Sequence, residues 1–385
     1  MSGRLRVLVV DDSVVVRRML AEMLSSHRAI ESVSTASNGK IALARIPQVT
    51  PDVVVLDVEM PELDGLATLA QIRRRFLTLP VIMFSTLTAR GATATLDALA
   101  LGANDYVTKP SARSGTVGQL GLVYKDLLDK ILTHCHYDPN APSWSENNDR
   151  ASIFGITPKA SPVKAPAPIV TASPSASGPV EAIAIGISTG GPNALAVLVP
   201  TLPKDLSVPV FIVQHMPRLF TKLLAERLSS KSQLPVVEAC HGDAVSPGKV
   251  WVAPGDYHMV VRRVGNRTVI HTHQDTPENS CRPAVDPLFR SIADTYGPRA
   301  LGVIMTGMGQ DGLRGSEAIR SRGGQILAQD EASSVVWGMP GFVARAGLAE
   351  KIIPLAELGA EIVRRTRKFD TSLRTTAIVA AGANP

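Results

Sequence analysis

The chain has 385 residues, 45% of them apolar and 19% charged, with a formal net charge of +6 and a pI near 9.3. That length calls for two domains, each able to bury its own core, and the composition excludes disorder along the whole chain. The basic residues are scattered among acids rather than gathered in a stripe, which argues against a nucleic-acid partner, and no run of about 18 apolar residues is available for insertion into a membrane.

The apolar N-terminal stretch is interrupted by Asp11-Asp12, which excludes a signal-peptide core. Three cysteines, Cys135, Cys240 and Cys281, are odd in number and widely spaced, fitting reduced thiols rather than a disulfide framework. A cytoplasmic location is therefore expected. His134 and His136 flank Cys135 and read as surface residues near a helix end.

Residues 1–136 alternate short β-branched runs with amphipathic segments, the pattern of a doubly wound parallel sheet. Strands are predicted at Leu5–Val10, Glu31–Ala36, Asp52–Leu56, Val81–Ser85 and Asp105–Thr108. Ser13 suits the N-cap of a first helix, and Val16, Met19, Leu20, Met23 and Leu24 fall at helical spacing as its buried stripe.

From 137 to 179 the chain turns rich in Pro, Ser, Ala and Asn and loses its periodicity, as a linker between two domains would. A second α/β alternation occupies 180–368. Its predicted strands are Ala182–Ile187, Pro209–Val213, a less regular β-rich stretch covering Val250–Ala253 and Val260–Thr272, then Leu301–Met305 and Gln325–Ala328. Residues 369–385 carry no clear signal and read as a tail. The fold class is thus α/β, with two doubly wound parallel-sheet domains, the first flavodoxin-like and the second Rossmann-like.

In open parallel sheets, side chains at the carboxyl ends of separate strands converge. Asp11 and Asp12 end the first strand, Asp57 ends the third, Ser85 ends the fourth and Lys109 follows the fifth. Clustered carboxylates repel unless a divalent cation neutralises them, and an all-oxygen site with open positions suits Mg²⁺. A neighbouring hydroxyl and ammonium favour holding a phosphoryl group, with Asp57 as its acceptor.

Val-Val-Asp-Asp-Ser, Leu-Asp-Val-Glu-Met-Pro with Asp-Gly close behind, Met-Phe-Ser-Thr and Asp-Tyr-Val-Thr-Lys-Pro resemble the response-regulator receiver family. The resemblance implies phosphorylation of Asp57 by a histidine kinase, Mg²⁺ held by Asp11, Asp12, Asp57 and the Glu59 carbonyl, and phosphoryl contacts from Ser85 and Lys109. It also implies a cis peptide at Lys109-Pro110 and an aromatic switch at Tyr106, with a half-buried strand residue as a nearly equal alternative. Ser85 stands where threonine is common in that family, with the hydroxyl kept.

In the second half, Gly186-Ile-Ser188-Thr-Gly190 sits at a strand-to-helix turn, where flanking glycines lift a serine hydroxyl and helix N–H groups face developing negative charge. Taken alone, this motif better fits a turn that packs a helix or cradles phosphate. His215 ends the next predicted strand and Asp311 lies just beyond a later one, so nucleophile, base and orienting acid would share one edge. The order Ser188, His215, Asp311 is not that of the ordinary α/β-hydrolases.

With Trp-Val-Ala-Pro-Gly-Asp at 251–256, Asp286-Pro-Leu-Phe-Arg, and Ala-Gln-Asp-Glu-Ala-Ser-Ser-Val-Val-Trp-Gly-Met-Pro around Gln329, these motifs resemble the chemotaxis protein-glutamate methylesterases. The resemblance implies phosphorylation-activated hydrolysis of glutamyl methyl esters on chemoreceptors, and receptor glutamine deamidation, by the Ser188–His215–Asp311 triad without a cofactor. Thr189 and Gly190 N–H groups, joined by backbone from Gly307–Gly309 and thus Met308, are the oxyanion candidates, Met308 otherwise serving to pack. His241, His258, His271 and His273 read as structural or surface residues. The alternatives are a receiver fused to a non-catalytic phosphate- or nucleotide-binding module, and a dinucleotide-dependent oxidoreductase, which lacks the glycine fingerprint.

Overall fold

The computed structural model describes residues 3–110, 117–137 and 179–367. The chain divides into two compact units, parted between Thr171 and Ala172. Nearly all of the predicted linker, residues 138–178, and the predicted tail from 369 lie outside the described residues.

The N-terminal unit runs β1 (Leu5–Val10), α1 (Val14–Ser25), β2 (Ile30–Ala36), α2 (Gly39–Val49), β3 (Val53–Asp57), α3 (Gly65–Arg75), β4 (Val81–Ser85), α4 (Ala89–Ala100), β5 (Asp105–Thr108) and α5 (Val117–His134). Its strands pair in parallel in the order β2-β1-β3-β4-β5, the flavodoxin-like order. Every residue of β3 and β4 is buried, because helices cover both faces of the sheet and leave no polar side to alternate with. As predicted, the Ser13 hydroxyl caps α1 through Val16 N, while Leu20 and Leu24 form the buried centre of its stripe, with Val16, Met19 and Met23 half-buried.

Expectations at His134 and Lys109-Pro110 are corrected in this unit. His134 is buried rather than on the surface, because α5 turns it inward to place Nε2 3.4 Å from Asp105 Oδ2, while His136 is exposed. Lys130 also reaches this cluster, 3.7 Å from Asp105, and its ammonium, with the hydrogen bond to His134, holds the Asp105 carboxyl below its ordinary pKa in spite of its burial. The cis peptide among the described residues is Arg282-Pro283 and not Lys109-Pro110. A proline permits either isomer at small cost, so its presence alone does not decide.

The C-terminal unit contains β6 (Ala182–Ile187), α6 (Gly191–Leu198), β7 (Val210–Gln214), α7 (Arg218–Lys231), β8 (Val236–Glu238), β9 (Val250–Val252), β10 (His258–Val264), β11 (Arg267–His273), α8 (Val285–Tyr296), β12 (Ala300–Ile304), α9 (Leu313–Ser321), β13 (Gln325–Gln329), α10 (Met339–Arg345), β14 (Lys351–Ile353) and α11 (Leu355–Thr366). Seven strands pair in parallel in the order β14-β13-β12-β6-β7-β9-β8. The chain winds from β6 toward β8 and later returns to β12 on the other side, so the winding reverses around β6, as in a Rossmann-like sheet. This is where such sheets open a crevice.

The predicted β-rich stretch splits into β9, inside this sheet, and the antiparallel hairpin β10–β11 outside it. The hairpin lies against α8: Ser291 Oγ accepts from Val261 N at 3.0 Å, and Met259, Val261 and Ile270 join Phe289 and Ile292 in one apolar cluster. Trp251 is fully buried and stacks on Phe211 with ring centroids 5.5 Å apart. Burial of one such side chain contributes roughly 2–3 kcal/mol, enough to fix the short β9 in the sheet.

Candidate functional site

Each unit gathers chemistry at the carboxyl edge of its sheet. In the N-terminal unit, β1 and β3 lie side by side and bring Asp11, Asp12 and Asp57 together, with one oxygen of each within 4.8 Å of the others. Lys109 follows β5 and places Nζ 2.7 Å from Asp11 Oδ2 and 2.8 Å from Asp57 Oδ2. Gly65 packs against this strand end so closely that a Cβ there would meet the Asp57 carbonyl oxygen at 2.2 Å.

Asp11 and Asp57 are both almost fully buried. Burial raises the Asp57 pKa to about 6 against the opposing pull of Lys109. Burial by itself would lower the Lys109 pKa, but its contacts with Asp11 and Asp57 outweigh that and raise it. Asp11 Oδ2 accepts no well-aligned hydrogen bond despite the nearby ammonium. Under-satisfied carboxylate oxygens facing one point are the donor set that a hard divalent cation takes.

The other expected members stand at greater remove. Ser85 ends β4, but its buried hydroxyl faces the Gly91 carbonyl at 3.1 Å and the Thr86 carbonyl at 3.3 Å rather than the carboxylates. Glu59 donates its backbone N–H to Asp57 Oδ1 at 3.3 Å, and its own carboxylate faces solvent near Arg90. Tyr106 is buried rather than half-buried, with its carbonyl 2.7 Å from Lys130 Nζ.

In the C-terminal unit, β6 pairs with β7 through Ile187 and Gln214, so Ser188 and His215 are the next residues on adjacent strand ends. On the other flank, Ser188 N donates to the Thr306 carbonyl just past β12 at 3.0 Å. Gly190 adopts φ +76°, a left-handed conformation that glycine takes without strain, and this turns the chain abruptly into α6. The nucleophile candidate is therefore held between the two strands that flank β6.

Asp311 precedes α9 and its carboxylate accepts five hydrogen bonds: from His215 Nε2 at 2.7 Å, Val285 N at 2.6 Å, Asp286 N at 3.1 Å, Gly312 N at 2.9 Å and Asn279 Nδ2 at 2.9 Å. Burial alone would raise its pKa, but His215 and the backbone donors at the start of α8 hold it below the ordinary value. Burial would likewise lower the His215 pKa, but the sulfur of Cys281 and the Asp311 carboxylate raise it above the ordinary histidine value. With Nε2–H donated to the carboxylate, Nδ1 becomes the ring's acceptor, and Cys281 Sγ lies 3.5 Å from it. Among the described residues, no hydrogen bond joins Ser188 Oγ to the imidazole.

The N–H groups of Thr189 and Gly190 donate no hydrogen bond among the described residues and border the N-terminus of α6, as expected of oxyanion donors. Gly307 N, in contrast, is donated to the Val336 carbonyl at 2.9 Å and is removed from the candidate set. Gly307 itself packs on the serine turn, where a Cβ would meet Ser188 Cβ at 2.8 Å, and Met308 follows it on the same segment.

Several residues essential to this geometry had no role in the sequence reading. Asn279 donates to both Asp311 and Asp286, at 2.9 Å each, and Asp286 also accepts from Gly315 N at 2.7 Å. Thr306 Oγ1 donates to the Thr189 carbonyl at 2.9 Å and accepts from Val336 N at 3.0 Å, tying the serine turn to the segment after β13. Gln329 accepts from Thr306 N at 2.9 Å and donates to the Ser333 carbonyl at 2.7 Å. Asp286 and Gln329 sat in motifs quoted for their resemblance, which was the one signal available for them.

Residues 183–362 match the family described as CheB methylesterase, and residues 7–118 match the response regulator receiver domain. A protein-glutamate methylesterase/protein-glutamine glutaminase of Trichodesmium erythraeum is 50% identical over 368 residues, covering 94% of this chain and 99% of that one. The chain belongs to the CheB methylesterase family.

A relative with the same description from Nocardioides sp. is 48% identical over 373 residues, covering 96% of this chain and 97% of its own. The chain is also similar to the solved CheB methylesterase catalytic domain of Thermotoga maritima, at 38% identity and a TM-score of 0.48, covering 48% of this chain and 98% of that one. Family membership makes the chain a chemotaxis hydrolase, a protein-glutamate methylesterase with a response-regulator receiver. No helix among the described residues is long and apolar enough to cross a membrane.

Proposed function

We propose that the C-terminal unit hydrolyses glutamyl methyl esters on chemoreceptor cytoplasmic helices, with Ser188 as nucleophile, His215 as general base and Asp311 as the acid that orients it. The observation that carries this reading is the convergence of all three around the central strand β6, with Asp311 bonded to Nε2 so that Nδ1 is left as acceptor. His215 takes the Ser188 proton as Oγ attacks the ester carbonyl. The oxyanion is met by the free N–H groups of Thr189 and Gly190, with Met308 and Gly309 as the remaining backbone candidates. The imidazolium then protonates the leaving methoxide, and methanol departs. Water, deprotonated by the same base, resolves the acyl-enzyme and restores Ser188. With a glutamine side chain the leaving group is ammonia and the rest of the sequence is unchanged.

The receiver is read as the regulatory half. Asp57 accepts a phosphoryl group from a histidine kinase, Lys109 offsets its charge, and Ser85 supplies a hydroxyl once it turns from the Gly91 carbonyl. Asp11, Asp12, Asp57 and the Glu59 carbonyl would hold Mg²⁺, which supplies charge neutralisation for the incoming phosphoryl oxygens. On this reading phosphorylation of Asp57 raises esterase activity. A cytoplasmic setting follows from that kinase and that substrate.

The test is methanol release from methyl-esterified chemoreceptor membranes. Wild type should release methanol and Ser188→Ala should lose about six orders of magnitude in rate, the scale seen when a serine hydrolase loses its nucleophile. Equal release by the two proteins would reject Ser188 as nucleophile.

A further inference from the structure

We propose that Cys281 is a positioning residue whose thiol competes with Ser188 for the acceptor nitrogen of His215, parking the base until the serine displaces it. This rests on the triad reading above and adds a fourth participant to it. The ring has two nitrogens. Nε2 is committed to Asp311 at 2.7 Å, and Cys281 Sγ lies 3.5 Å from the other, Nδ1. Ser188 occupies the adjacent strand end, yet its Oγ makes no hydrogen bond to the ring among the described residues. A neutral imidazole has a single lone pair in its plane, so S–H and O–H donors exclude one another there.

The thiol is placed by a braced loop. Asn279 and Ser280 adopt φ of +50° and +62°, and Glu278 and Cys281 exchange backbone hydrogen bonds of 3.1 and 2.8 Å. Asn279 fastens the loop to Asp311 and Asp286, while Arg282 fastens it to Asp256 at 2.6 Å and to the Gln274 and Asp275 carbonyls. Cys281 therefore cannot easily withdraw, and the exchange must come from movement of the ring or the serine. The ionisable groups facing His215 are Asp311, ahead of α9, and Cys281, on this loop, with Asp286 of α8 behind Asp311. A thiol is a weak hydrogen-bond donor, so a hydroxyl brought into line by bound ester can replace it.

The experiment measures kcat, KM and the pH profile of methanol release for the intact wild type, Cys281→Ala, Cys281→Ser and Ser188→Ala. Cys281→Ala should raise kcat about threefold with KM unchanged, the scale of one weak hydrogen bond removed. It should also move the acid limb of kcat/KM to higher pH, because His215 loses an S–H donor that favours its neutral form and becomes neutral later as pH rises. In Cys281→Ser the shorter C–O bond draws the donor back from Nδ1, so both changes should be smaller and in the same direction. An unchanged or lower kcat with an unmoved acid limb in Cys281→Ala overturns the inference; if that variant does not fold, the acid limb of Cys281→Ser decides alone. Release that persists in Ser188→Ala would instead overturn the triad assignment beneath it.

Discussion

Asp57 and Asp311 are both buried acids at the carboxyl edge of a parallel sheet, yet their surroundings are opposite. Asp57 accepts one backbone N–H, from Glu59 at 3.3 Å, and faces Lys109, and burial still raises its pKa to about 6. Asp311 accepts five hydrogen bonds and sits below its ordinary value. On the proposed reading the same side chain is prepared for two tasks. Oxygens left under-satisfied retain affinity for a cation and an electrophilic phosphorus, whereas a saturated carboxylate cannot move and serves only to aim an imidazole.

The largest test of this contrast is Asp311→Asn. An amide keeps the shape but favours the wrong imidazole tautomer, so methanol release should fall about 10⁴-fold with the fold retained. A loss below tenfold would mean that the saturated carboxylate does not orient the base. Asp57→Asn should act in the other direction, on stability. Between its ordinary value of 3.8 and about 6 the folded receiver holds a proton that the unfolded chain has released, so stability falls as pH rises through that window and stays reduced above it. The amide removes this loss, and unfolding of the receiver at pH 7 without divalent cation should become harder by about 1–3 kcal/mol. Mg²⁺ should narrow the difference by stabilising wild type alone; urea unfolding that shows Asp57→Asn no more stable would contradict the under-satisfied reading. The smallest change is Thr306→Val. It strands the Thr189 carbonyl and Val336 N–H and should lower kcat/KM about tenfold, while a rate equal to wild type would show that the serine turn holds itself.

How much of this could be read beforehand follows from range along the chain. The strands β1, β4, β5 and β6 were legible to the residue, and others to within one, because buried strands in a covered parallel sheet are unbroken β-branched runs between turn signals. The strands β8 and β14, with three residues each at the sheet edges, are too short to show a period. The placement of Ser188, His215 and Asp311 on one sheet edge was legible because each follows a strand end. Asn279 and Cys281 were not, since they reach the site from a loop whose shape is set by left-handed residues and by contacts with α8 and with Asp256. His134 was misplaced for a related reason: its partner Asp105 is 29 positions away, and only the packing of α5 on β5 brings them together.

The most direct test of the joined account is the initial rate of methanol release, with Mg²⁺ and with or without a small phosphodonor, from wild type and Asp57→Asn. The donor is expected to raise the wild-type rate several-fold and leave the Asp57→Asn rate unmoved, placing control at the under-satisfied acid and chemistry at the serine. An equal rise in both proteins would contradict Asp57 as the point of control.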